Sequence, residues 1–62
     1  MNIREYAESV GRIEVYFPRT GYCRVVTPSG HTVEVIDSPT GPFVAPLGTW
    51  DMLFDLACRN EL

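Results

Sequence analysis

Three runs of alternating residues, separated by two turns that carry proline and end in glycine, constrain this chain more than any other feature. Residues 12–17 put Ile13, Val15 and Phe17 on one face and Arg12, Glu14 and Tyr16 on the other. In the second run Cys23, Val25 and Thr27 oppose Tyr22, Arg24 and Val26, and in residues 31–37 Val33 and Val35 oppose Thr32, Glu34 and Ile36. A period of two carried by β-branched and aromatic residues is the pattern of strands with one buried face. Pro28-Ser29-Gly30 suits a type I turn with Gly30 as the left-handed bulge residue, which sets Thr27 across from His31, Val25 from Val33 and Arg24 from Glu34. Pro18-Arg19-Thr20-Gly21 joins the first pair. With Phe17 across from Gly21, Val15 meets Cys23 and Glu14 meets Arg24. Glu14, Arg24 and Glu34 then form a row of alternating charge across the outer face, the cross-strand arrangement that favours pairing.

Helical spacing flanks these runs. In residues 2–10, Ile3, Tyr6, Ala7 and Val10 fall at i, i+3, i+4 and i+7, Asn2 is the N-cap and Gly11 the stop. Two turns of helix are marginal alone, so this one needs the sheet beneath it. A second helix is expected over residues 50–60. Thr49 is its cap, Asp51 and Arg59 sit at the ends the helix dipole favours, and Trp50, Leu53, Phe54 and Ala57 form its buried face. Met52 and Leu56 widen the apolar arc beyond one stripe, as in a helix that is deeply packed or shared with a partner. Residues 38–48 hold Pro39, Pro42 and Pro46 and are expected to form a loop without regular structure. The expected fold is α+β: one domain over residues 1–62, a three-stranded antiparallel meander with a short N-terminal helix and a C-terminal helix.

A domain this small buries only about 60% of its extended-chain surface, so self-association is one way to complete its core. Five Arg and no Lys against eight Asp plus Glu give a net charge of −3, which disfavours nonspecific nucleic-acid binding and suits a basic protein partner. No apolar run is long enough for a membrane helix, and residues 1–11 carry no secretory pattern. A cytoplasmic location is therefore expected. The chain begins with Met1 and carries no tag, so a complete product is expected, of a size more usual for a regulator, inhibitor or subunit than for an enzyme.

Catalytic and cofactor chemistry finds little footing. Cys23, His31, Asp37 and Cys58 lack compact metal-ligand spacing, and two free thiols are favoured over a Cys23–Cys58 disulfide. His31 has no nucleophile beside it. Glu14 and Glu34 flank Arg24, which keeps both ionised, and no glycine-rich phosphate loop occurs. No metal, cofactor or catalytic residue is expected, and the chain reads as a non-enzyme.

What remains is surface. If both helices cover the Ile13/Val15/Cys23/Val25/Val33/Val35 face, the opposite face displays Tyr16, Tyr22, Arg24, Val26 and Ile36 with Glu14 and Glu34, a mixture of aromatics and Arg typical of interfaces. Phe43, in the Pro42–Pro46 segment, is a second anchor candidate, although a Phe43 side chain tucked back to plug the core is favoured over it. These residues point to an inhibitor or adaptor that binds a larger protein through acidic and aromatic groups. The acidic helix faces, Glu5 with Glu8 or Asp51 with Asp55, would meet a basic site. A nucleic-acid-handling enzyme has such a site, and a small antagonist of host machinery is one form the protein would take. A homodimer seam is a second use of the same face. The alternative function is a nucleic-acid-binding regulator that uses Arg12, Arg19, Arg24 and the sheet tyrosines, against which Glu14 and Glu34 repel phosphate; a direct nucleic-acid ligand is not favoured.

Overall fold

The computed structural model describes residues 2–62. Its order is α1 (Ile3–Val10), β1 (Arg12–Phe17), β2 (Tyr22–Val26), β3 (Thr32–Ser38), β4 (Gly41–Pro46) and α2 (Asp51–Glu61). The strands form one antiparallel meander, β1-β2-β3-β4. The expected three-stranded sheet is therefore corrected to four strands.

The fourth strand comes from the segment read as a loop. Pro39-Thr40 tips a hairpin closed by the Ser38–Gly41 pair, and Asp37 pairs with Pro42, Ile36 with Phe43, Val35 with Val44, Glu34 with Ala45 and Val33 with Pro46. Prolines are tolerated because β4 is an edge strand. Pro42 and Pro46 are four residues apart, so both nitrogens point to the same side, away from β3. The ladder runs through Gly41, Phe43 and Ala45.

The β2–β3 hairpin has the expected register, with Arg24 across from Glu34 and Val25 from Val33. The Gly30 amide donates to the Thr27 carbonyl at 2.9 Å, and Gly30 takes the left-handed φ of +88° that the turn needs. The β1–β2 register departs from expectation. Phe17 pairs with Tyr22, Tyr16 with Cys23 and Val15 with Arg24, whereas Ile13 pairs with Val25. The register shifts between Ile13 and Val15, and the residue between them is Glu14. A bulge reverses the side on which following residues point. Val15 therefore never meets Cys23, Glu14 never meets Arg24, and the row Glu14-Arg24-Glu34 does not form.

The helices take opposite faces. α1 is capped as expected, with Asn2 Oδ1 accepting the Glu5 amide at 2.8 Å, and its Ile3 and Ala7 pack on Cys23, Val25 and Val35 with Ile13, Tyr16 and Val33 around them. Gly11 ends α1, its amide donating to the Ala7 carbonyl at 3.1 Å. Its lack of a side chain lets the chain pass close against the end of β2, because a Cβ there would sit 2.2 Å from the Val26 carbonyl oxygen. α2 lies on the other face, where Ala57, Trp50, Leu53, Phe54 and Cys58 meet Phe17, Tyr22, Val15 and Ile36. No helix among the described residues is long and apolar enough to cross a membrane.

Candidate functional site

The face expected to be open lies beneath α2, and a polar network holds the two together. Tyr22 and Glu34 are both fully buried. The Tyr22 hydroxyl donates to Glu34 Oε2, and Arg24 Nε donates to the Tyr22 oxygen at 2.8 Å. The other Glu34 oxygen accepts the Trp50 amide at 3.0 Å. Trp50 is the N-cap of α2 and has no side-chain cap of its own. The cap expected from Thr49 is absent because the Thr49 hydroxyl donates to the Pro46 carbonyl at 2.7 Å. A carboxylate on β3 thus supplies the acceptor at the helix N-terminus, where negative charge is favoured. No buried side-chain polar atom lacks a partner among the described residues.

This network is structural in its chemistry. Burial, then the Glu34 carboxylate, pushes the Tyr22 phenol well above its ordinary range, so it stays a neutral donor. The hydrogen bond to Tyr22 raises the already high pKa of Arg24. The Arg24 guanidinium carbon lies 3.7 Å from the centre of the Phe54 ring, a cation–π contact that occupies one of the three arginines expected to serve nucleic-acid binding. At the other end of α2, Glu61 accepts the Arg19 and Thr20 amides at 3.0 and 2.8 Å and the Thr20 hydroxyl at 2.6 Å. Carboxylates therefore fasten both ends of the helix.

The residues singled out in the sequence are dispersed. Tyr22 and Glu34 are buried, and Ile36 packs in the cluster beneath α2. Tyr16 faces α1, while Arg24 and Val26 are only partly exposed. Glu14 is exposed at the bulge, away from the others. Phe43 is the one apolar candidate left exposed, at 57%. Its ring centre is 6.2 Å from that of Trp50, edge to face. Among the described residues the exposed large apolar side chains are Phe43, Val44, Leu47, Met52, Leu56 and Leu62, all in the last third of the chain. Leu47 was not singled out in the sequence; its signal is an aliphatic residue in a turn between Pro46 and Gly48.

Charge is segregated in the same way. Four of the five Arg precede residue 25, and none lies between Arg24 and Arg59, a span holding Glu34, Asp37, Asp51 and Asp55. With Glu34 buried, the exposed acids there are Asp37, Asp51 and Asp55.

No group of three or more His, Cys, Asp or Glu side chains suited to a metal ion occurs among the described residues. Cys23 and Cys58 are free thiols in clusters on opposite faces of the sheet, so no disulfide joins them. Burial pushes the Cys23 thiol up to about 11, which leaves it inert at neutral pH. No known protein family, curated protein or solved structure matches the chain.

Proposed function

We propose that the chain is a small, non-enzymatic, cytoplasmic protein-binding module whose docking surface is the β4 edge around Phe43. The observation that carries this reading is a large aromatic side chain left 57% exposed on a strand that pairs with β3 along its whole length. An anchor fixed before binding loses little entropy on docking. Leu47 is exposed four residues further along, and Asp51 follows Trp50, whose ring meets Phe43 edge to face; Val44 and Asp37 point to the opposite side of the sheet. That chemistry suits a larger protein with an apolar pocket rimmed by basic residues, such as the phosphate-tracking surface of a nucleic-acid-handling protein. The chain would act there as an inhibitor or adaptor.

The partner docks by side chains rather than by adding a strand. The outward edge of β4 presents positions 42, 44 and 46, two of them prolines, so it offers a single amide, that of Val44. The Pro46 carbonyl is already occupied, accepting from the Thr49 amide and hydroxyl.

The test is capture of a stoichiometric partner from extracts of the source cell with tagged wild-type chain, Phe43→Ala and Glu14→Ala. The reading expects one partner retained by wild type and Glu14→Ala, lost with Phe43→Ala and weakened by salt. Equal capture by Phe43→Ala would overturn it.

A further inference from the structure

We infer that the outer face of α2 is a seam between two copies of this chain, paired antiparallel about a two-fold axis near the middle of the helix. One side of α2 is already spent on the sheet through Trp50, Phe54 and Ala57. The other side exposes Met52 at 88% and Leu56 at 48%, flanked by Leu53, Asp55 and Arg59 in a shallow apolar depression. Met52, Leu56 and Arg59 are spaced four and then three residues apart, the repeat of a helix–helix seam. The stem of Arg59 continues the apolar stripe while its charged end stays in water.

Charge order selects both the occupant and its direction. Asp51 and Asp55 lie in the first half of α2, and Arg59 lies in its last turn. An antiparallel copy brings its Arg59 toward the acidic half of its mate, twice over, whereas a parallel copy sets like charges together. A surface that complements itself in this way is what an isologous two-fold interface requires. Within one chain Arg59 already pairs with Asp55 at 2.6 Å, but both side chains are well exposed, so each is free to be shared across the seam. An eleven-residue helix is only about 16 Å long. A seam so short buries less than the roughly 800 Å² per partner of a standard interface, so the pair is a reversible dimer whose population depends on concentration.

Sedimentation equilibrium from low micromolar to near-millimolar concentration tests the inference. Wild type should move from the mass of one chain toward that of two. Met52→Lys and Leu56→Glu, both at exposed positions, should each raise the dimer Kd by about tenfold or more with an unchanged circular dichroism spectrum. Asp55→Arg alone and Arg59→Asp alone should weaken the dimer, and the double exchange should restore it. Phe43→Ala should leave it unchanged, which separates this seam from the surface proposed for the larger partner. A monomer at every concentration, or a dimer indifferent to Leu56→Glu and to the charge exchange, would overturn the inference.

Discussion

The Tyr22 hydroxyl donates its proton to Glu34 at a point where neither side chain reaches solvent. This contact joins neighbouring strands β2 and β3, and through the Trp50 amide it joins both to the start of α2. A buried carboxylate is tolerated only when its oxygens are satisfied, and here both are.

Removing either partner should therefore cost more than an ordinary surface change. Tyr22→Phe takes one donor from a buried carboxylate and should lower stability by about 1–3 kcal/mol. Glu34→Ala strands the Tyr22 hydroxyl and the Trp50 amide together and should cost about 2–6 kcal/mol, the sum for two unsatisfied donors. Urea denaturation at neutral pH measures both, and a cost under about 0.5 kcal/mol, the size of a neutral surface substitution, would contradict the burial of the pair.

Alkaline stability follows from the same contact. Burial and Glu34 raise the folded Tyr22 phenol above its ordinary value of 10.0. The unfolded chain releases that proton as pH passes 10, while the folded chain retains it. Stability from this group is thus intact below pH 10 and falls as pH rises above it. Tyrosinate absorbance should show a fraction missing from the native protein at high pH and recovered in denaturant, and Tyr22→Phe should abolish that difference.

Glu61 gives the opposite dependence at acid pH. Burial pulls its carboxyl upward, but the Thr20 hydroxyl and the amides of Arg19 and Thr20 outweigh it and hold the group below its ordinary 4.5. Its contribution is present above that value and is lost as pH falls through the lower folded value. Glu61→Ala should narrow the gap between denaturation midpoints at neutral pH and at pH about 3. An unchanged gap would show that the clamp on residues 19–20 adds nothing.

The two thiols should differ sharply towards a water-soluble alkylating reagent. Cys58 is partly exposed, whereas Cys23 is fully buried under α1 with its pKa raised to about 11. Native protein should label at Cys58 first and at Cys23 only on unfolding, as peptide mass mapping would show. Equal rates would mean that α1 does not seal its face.

The parts of the fold governed by local chemistry were legible in the sequence. The α1 stripe, its Asn2 cap, the β2–β3 register and the packed face of α2 all follow from spacing and turn residues within about a dozen positions. The number of prolines hides β4 and only their parity reveals it; Ser38-Pro39-Thr40-Gly41 repeats the pattern of the turn Thr27-Pro28-Ser29-Gly30. The bulge left no trace, because Ile13, Val15, Tyr16 and Phe17 are apolar enough to suit either face. The choice of face for α2 turned on Glu34. A carboxylate amid Tyr22, Val26 and Ile36 reads as solvated, and only the distant Trp50 amide and the Tyr22 hydroxyl make its burial tolerable. Of the surface candidates, only Phe43 and Glu14 are exposed, Phe43 because it sits on an edge strand rather than on the covered face and Glu14 because it sits at the bulge.

α2 seals one face of the sheet while Phe43 stays outside. Paramagnetic relaxation of assigned protons by a soluble gadolinium chelate tests this most directly. The Phe43 ring should be strongly broadened, with the Tyr22 ring and the Ala57 methyl protected. Broadening of Tyr22 as strong as that of Phe43 would contradict it.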